Sequence, residues 1–250
     1  MAGLPGMTIA LGEESRLTES AAFDRRAILA RSEILRHLAP EQIELLAARC
    51  TVRRCAAGEM VFERGAAGTS LLGVIAGRVK ISVLSADGRE LILNILKPGE
   101  VFGEIALLDG GERTASATAL ASSELLVLHR RDFLPLIERH PALAQHLIEL
   151  LCRRLRATSQ QVEEMQFLEL PIRLARALIH WAETDGTPVK TGRRLNMRLS
   201  QSDLGTLIGG SRERISRQLA QWQRDGLVTH EAGTLTIHRM DDLAEIAEGG

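Results

Sequence analysis

The sequence predicts an α+β chain in three parts: a β jelly roll, one long helix, and a C-terminal winged helix-turn-helix. Three observations carry this reading. Between Cys50 and His129, short β-branched runs alternate with glycine-rich corners, the pattern of an all-β barrel or jelly roll. From Pro141 to Phe167 there is no glycine and no internal proline, so the stretch predicts an unbroken helix of roughly 40 Å at about 1.5 Å per residue. Between Ser200 and His238, two short helical patterns flank Gly209-Gly210 and precede a small hairpin, which reads as a winged helix-turn-helix. The expected boundaries are a tail over 1–25, the jelly-roll domain over 26–139, the long helix over 140–168 and the winged domain over 169–250.

Taken in order, residues 1–25 mix Gly, Pro, Ser, Thr and acids without a lasting period, as a loose tail does. From Arg26 to Cys50 the apolar spacing fits two short helices, the second opened by Pro40 with Glu41 in its first turn. Strands are expected over Ser70–Ile75, Val79–Leu84, Leu91–Leu96, Thr114–Leu120 and Leu125–Leu128, with Asp87-Gly88 as a hairpin turn. Pro171 opens a helix with an apolar face through Leu174, Leu178 and Trp181, ended by Gly186 and Pro188, and Leu195–Leu199 reads as strand. Ser200 and Asp203 have capping-box spacing at the first short helix. Ser211 can cap the second, whose inward residues are Ile215, Leu219 and Trp222. Ala232-Gly233 turns the final hairpin, and Met240–Glu248 reads as a short acidic helix.

Composition narrows the function classes. The 250 residues carry a net charge near −1, no Tyr, two Trp and five Phe, which argues against an aromatic base-stacking surface. No 18-residue apolar run and no signal pattern is present, so the expectation is a soluble, cytoplasmic protein with no membrane partner. Cys50, Cys55 and Cys152 form no metal or cluster spacing. No histidine lies between His37 and His129. A metalloenzyme of the cupin type needs clustered His and Glu inside the barrel, so that class is set aside and no metal is expected.

Within the long helix, Leu151, Leu155, Thr158, Val162 and Met165 step by four, three, four and three, as a two-stranded coiled-coil seam does. Arg153, Arg154 and Arg156 fall among the flanking residues of a solvated face. The seam predicts a homodimer through residues 141–167, with a polar defect at Thr158 and Ser159. A hydroxyl in an apolar seam needs a partner. The helix's own carbonyl four residues earlier is one, and a bound polar ligand is another.

Between Thr187 and Arg224 there are eight basic residues and two acidic ones, a local positive footprint of the kind phosphate binding needs. Arg212, Glu213 and Arg217 fall in the first turns of the second short helix, the part that reaches base edges. Arginine can grip guanine by two bonds and Glu can accept from cytosine N4. Glu213 and Arg217 are also four apart, so a surface ion pair is the plainer alternative. Ser200, Ser202 and the hairpin would then hold phosphates of double-stranded DNA.

The remaining motif is the loop Val101–Ala115. Gly103 permits a sharp turn, Glu104 to Leu108 could form a helical turn with free N–H groups, and Arg113 adds a cation; together these make a cradle for one phosphate. Glu104 suits a hydroxyl donor instead, such as a ribose 2′-hydroxyl. An ion pair between Glu104 and Arg113 is the bland alternative.

FGEIALLDGGERTA resembles the phosphate-binding cassette of cyclic-nucleotide-binding domains. RRLRATSQQV resembles the dimer helix of the cyclic-AMP receptor protein (Crp/Fnr) family, and SRERISRQL resembles its recognition helix. The three come in the family order and the resemblance covers residues 26–240. It implies a cyclic-nucleotide-binding jelly roll whose ligand, cyclic AMP or cyclic GMP, acts allosterically on DNA binding. It implies that Gly103, Glu104, Ile105, Ala106, Arg113 and Thr114 hold ribose and phosphate. Thr158 would bond the purine in its own subunit and Ser159 the partner's. Ser200, Ser202, Ser211, Arg212, Glu213 and Arg217 would contact a palindromic, TGTGA-like site. The Glu104–Arg113 interval is one residue shorter than in the receptor protein and equals that of kinase-type domains. Threonine at position 114 accompanies guanine preference in some relatives, hence the two candidate nucleotides. By analogy, the loop from Asp185 to Arg193 would touch RNA polymerase. The alternative is a regulator of the same fold that senses another signal or none.

Overall fold

The computed structural model describes Leu29, residues 39–86 and residues 88–249. The expected tail and the first of the two N-terminal helices therefore lie outside the described residues, apart from Leu29, which is fully buried. The second helix, α1, spans Pro40–Ala47.

Eight strands form two antiparallel four-stranded sheets, which is the jelly roll. Strands β1 (Thr51–Cys55), β8 (Ser123–His129), β3 (Ser70–Ala76) and β6 (Val101–Phe102) lie side by side in one sheet. Strands β2 (Met60–Phe62), β7 (Ser116–Ala119), β4 (Val79–Leu84) and β5 (Glu90–Leu96) make the other. The core between them is built from Val61, Leu72, Val74, Val79, Leu96, Phe102, Ala117 and Leu125. Along β7, half-buried Ser116 and Thr118 alternate with buried Ala117 and Ala119, as a strand with one inward face requires. Strands β1, β2 and β6 were not expected from the sequence. Each is short or charged, and TVRRC in β1 holds its register only through pairing with β8 from Thr51↔Val127 to Cys55↔Ser123.

Helix α2 (Glu104–Asp109) interrupts the barrel, and α3 (Arg130–Arg139) leads to α4 (Pro141–Phe167), the long helix at the expected bounds. Leu143, Leu147 and Leu150 bury its first half against Leu29, Leu46, Phe133 and Leu136. Beyond Leu150 the helix leaves that core.

The C-terminal domain holds α5 (Leu170–Asp185), β9 (Gly186–Val189), β10 (Gly192–Arg198), α6 (Gln201–Ile208), α7 (Arg212–Arg224), β11 (Val228–Glu231), β12 (Thr234–Ile237) and α8 (Met240–Glu248). The expected strand at Leu195–Leu199 starts earlier, because Gly192–Leu195 pairs with Gly186–Val189; the stretch read as a loop from Asp185 is a hairpin. Leu174, Leu178, Leu204, Ile215, Leu219, Trp222 and Ile237 form its core. Ala232 and Gly233, both at positive φ, turn the β11–β12 wing. The domain rests on the barrel: α6 lies against β5, Arg78 pairs with Asp185, and Lys97 Nζ donates to the Thr184 carbonyl at 3.2 Å. Among the described residues no helix is long and apolar enough to cross a membrane.

Candidate functional site

The loop between β6 and β7 is shaped by Gly103. Its φ of +78° turns the chain out of β6 and into α2, a backbone state that costs other residues about 1–2 kcal/mol. A Cβ there would sit 2.4 Å from Arg113 Nη1, so the position needs glycine for space as well. The turn places Glu104 at the first helical position, where the N-terminal dipole favours an acid, and leaves the Ile105 and Ala106 amides at the start of a helix with no intrahelical acceptor.

Arg113 is 5 % exposed and Glu104 4 % exposed, and Ser82 and Ser123 are the other fully buried polar side chains among the described residues. Arg113 is anchored by its backbone, with its N–H donating to Ala66 and its carbonyl accepting from Gly65. Its guanidinium donates from Nη1 to the Gly103 carbonyl at 2.9 Å. From Nη2 it donates to the Ser70 carbonyl at 2.8 Å and to Ser70 Oγ at 3.1 Å. It stacks 4.2 Å from the centre of the Phe62 ring, a favourable cation–π placement. Burial pushes the guanidinium below the ordinary arginine value, while nearby Glu104 opposes the shift. Arg113 Nε is buried and has no hydrogen-bond partner. A buried cationic donor left open is costly, and an anionic oxygen is the acceptor that fits it.

The bland alternative of a Glu104–Arg113 ion pair is not what forms. Glu104 Oε1 instead accepts from Arg154 Nη1 at 2.5 Å, and Arg154 Nη2 donates to the Val101 carbonyl. Arg154 was assigned to the solvated flank, and that assignment is corrected: it reaches inward from α4 because a buried carboxylate needs a cation. The signal was present, since Arg154 lies four residues before Thr158 on the same helix face. For Ser70 and Phe62, distant in sequence, no such signal exists.

Around these groups lies a cavity of ≈ 950 Å³, bounded by the barrel, by Arg154, Ala157, Thr158 and Gln161 of α4, and by α5. Gly103, Glu104, Ile105, Ala106, Arg113 and Thr114 all line it. Thr158 Oγ1 donates to the Arg154 carbonyl at 2.9 Å, the local partner anticipated for it. Ser159 is not brought to this group; it borders a separate groove with Leu155 and Phe167 on the other side of α4. Of the five residues expected to form the seam, Leu155 and Val162 are the large apolar ones left open to solvent. Leu151 and Met165 are partly buried and Thr158 faces the cavity, whereas Ile148, Leu155 and Val162, seven apart, are 60 %, 68 % and 55 % exposed. At 3.6 residues per turn a step of seven stays on one face of the helix, and Ser159 falls within that stripe. Among the described residues no three His, Cys, Asp or Glu side chains converge as a metal set.

In the C-terminal domain, Ser200 and Asp203 close a reciprocal capping box: Asp203 N–H donates to Ser200 Oγ at 3.1 Å, and Ser200 N–H to Asp203 Oδ2 at 2.9 Å. Ser202 is exposed. Ser211 caps α7 by accepting from the Arg214 amide at 3.3 Å. Ile215, Leu219 and Trp222 face inward, which turns Arg212, Glu213 and Arg217 to solvent on one face. The Glu213 carboxyl is held below its usual range by its own backbone amide, then by the Ser211 hydroxyl and Arg212. A Cβ on Gly205 would lie 2.7 Å from the Gly210 carbonyl, so the turn between α6 and α7 packs directly on α6.

Residues 52–140 match the family described as cyclic nucleotide-binding domain, and residues 172–246 the Crp-like helix-turn-helix domain. A cyclic AMP receptor protein of Thermus thermophilus is 36 % identical over 218 residues, 87 % of this chain and 98 % of that protein. A CRP-like cAMP-activated global transcriptional regulator of Mycobacterium tuberculosis is 32 % identical over 220 residues, 88 % of this chain and 98 % of that one. The solved structure of the c-di-GMP-responsive global regulator CLP of Xanthomonas campestris superposes with a TM-score of 0.71 at 26 % identity, covering 80 % of this chain and 100 % of that one.

Proposed function

The chain belongs to the Crp/Fnr family of transcriptional regulators, and from that premise we propose that it is a homodimer whose grip on palindromic, TGTGA-like DNA is set by cyclic AMP, with cyclic GMP as the competing ligand. The observation that carries the reading is the buried pair of opposite charges, Glu104 and Arg113, in one cavity closed by α4, with Arg113 Nε open. A phosphate oxygen would accept from Arg113 Nε and from the Ile105 and Ala106 amides. Glu104 would accept from the ribose 2′-hydroxyl, and Thr114 and Thr158 would face the purine. Ser159 would reach the partner's purine across the dimer.

Two copies joined along the exposed Ile148–Leu155–Val162 stripe would place paired reading helices about 34 Å apart, one turn of DNA. A ligand that binds one arrangement of the two long helices better than the other shifts the population toward DNA-competent dimers. Ser200, Ser202 and Ser211 would lie beside phosphates, while Arg212, Glu213 and Arg217 read bases. The β9–β10 hairpin is the surface we assign to RNA polymerase, by family analogy.

Isothermal calorimetry with cyclic AMP and cyclic GMP, on the wild type and on Arg113→Ala, tests the ligand site. Saturable binding that the substitution abolishes is the expected result. Equal affinity in both proteins would remove the phosphate cradle.

A further inference from the structure

Arg173 joins two helix ends. It sits in the first turn of α5, and its guanidinium donates to four backbone carbonyls. Nη1 reaches Leu168 at 2.8 Å and Met165 at 3.3 Å, at the end of α4; Nε reaches Ile208 at 3.1 Å and Nη2 reaches Gly209 at 3.0 Å, at the end of α6. The last carbonyls of a helix lack intrahelical donors and carry the negative end of its dipole. A cation between two such ends satisfies both at once. Burial pushes Arg173 below the ordinary arginine value, with Arg214 adding to the shift and Glu164 opposing it.

The contact around it is close. The Met165 side chain packs on Gly209, whose φ is +73°; a Cβ there would meet it at 3.2 Å. Gly209 stands two residues before Ser211, the cap of the reading helix α7. From α4 the link runs through the hydrogen bonds of Arg173 and the packing of Met165 on Gly209, and then through two residues of chain to the cap of that helix.

We infer that Arg173 is the positioning residue that passes the state of the long helix to the reading helix, by holding the carbonyl ends of α4 and α6 in one register. This deepens the gating reading and rests on it. A planar fork can span four carbonyls, whereas an ammonium is a point charge that serves fewer of them. The inference therefore concerns the guanidinium, not the charge alone.

The test uses the full chain as wild type, Arg173→Lys and Arg173→Ala, with cyclic AMP as the probe. Nucleotide affinity is measured by calorimetry, and operator affinity at fixed salt with and without saturating nucleotide. We expect nucleotide affinity to stay within about twofold, while the ratio of operator affinities with and without nucleotide falls by about tenfold or more in Arg173→Ala, and by less in Arg173→Lys. Equal loss in both operator affinities, with the ratio kept, marks a residue that only stabilises the domain and overturns the inference. So does loss of nucleotide binding itself, since Arg173 also borders the large cavity. Should Arg173→Ala not fold, the ratio is read from Arg173→Lys alone: a smaller fall is still expected, and a ratio equal to the wild type's overturns the inference. If the wild type's own ratio is one, the gating reading fails separately, and hydrogen exchange still decides the stitch: residues 161–168 and 205–215 must lose protection together in the variant, and loss in one segment alone contradicts it.

Discussion

Glu104 and Arg154 meet at 2.5 Å although one stands in the barrel loop and the other halfway along α4. The carboxylate is almost fully buried, the guanidinium about one-third exposed. This contact ties the ligand loop to the long helix before any ligand is considered, and it makes the loop's position depend on the helix.

Removing the cation should leave a buried carboxylate unpaired. Breaking a fully buried pair costs about 3–5 kcal/mol; with Arg154 partly in water, Arg154→Met should cost about 2 kcal/mol. The double variant Glu104→Gln/Arg154→Met should recover most of this. Urea denaturation of the four proteins in the cycle measures it, and additive losses would show that the two side chains are not coupled.

Gly103 and Gly88 share nearly the same φ, +78° and +80°, but not the same surroundings. A Cβ at Gly88 meets nothing within 4 Å, whereas one at Gly103 meets Arg113. Gly88→Ala should therefore cost only the backbone term, about 1–2 kcal/mol, and leave nucleotide binding intact. Gly103→Ala should cost more and weaken nucleotide binding, because Arg113 must move. Thermal melts alongside nucleotide titrations check both, and a Gly103→Ala protein that binds normally would contradict the geometry.

Much of this was legible in the sequence. The bounds of α4 follow from the absence of any breaker between Pro141 and Phe167, and the second capping helix from Ser211 and its apolar partners Ile215, Leu219 and Trp222. The cassette residues that a short motif holds together, Gly103 to Ala106 with Arg113 and Thr114, do line one cavity. What was not legible depends on pairing across distance. Strand β1 is made a strand by β8, and Arg154 is drawn inward by a carboxylate fifty residues away. The face of α4 was legible only in part. The four-three pattern through Leu151, Leu155, Thr158, Val162 and Met165 holds only in part: Leu155 and Val162 stay open, while Leu151 and Met165 are partly covered and Thr158 faces the cavity.

The stripe that stays open makes its own prediction. Leu155 and Val162 are exposed within one chain, so Leu155→Lys/Val162→Lys should leave the fold's core untouched and abolish self-association. Sedimentation velocity should give a monomer for the variant and a dimer for the wild type. A wild-type monomer at micromolar concentration would contradict the homodimer.

Two arginines of the basic domain should fail differently on substitution. On the proposed reading Arg212 contacts a base, so Arg212→Ala should relax preference at one position by about 1–3 kcal/mol. Arg198, exposed on β10 beside the wing, should contact phosphate, and Arg198→Ala should weaken all sequences alike and lower the salt slope by about one. Binding to a panel of single-base operator variants separates the two patterns; a uniform loss for Arg212→Ala would reassign it to the backbone.

The central claim is that a cyclic nucleotide seated between barrel and long helix readies the reading helices for DNA. It is tested most directly by titrating operator binding, at one stated salt concentration, with cyclic AMP and cyclic GMP in parallel. The account predicts that one of them raises operator affinity by about tenfold or more, and that Arg113→Ala abolishes the response. An operator affinity that neither nucleotide changes would contradict it.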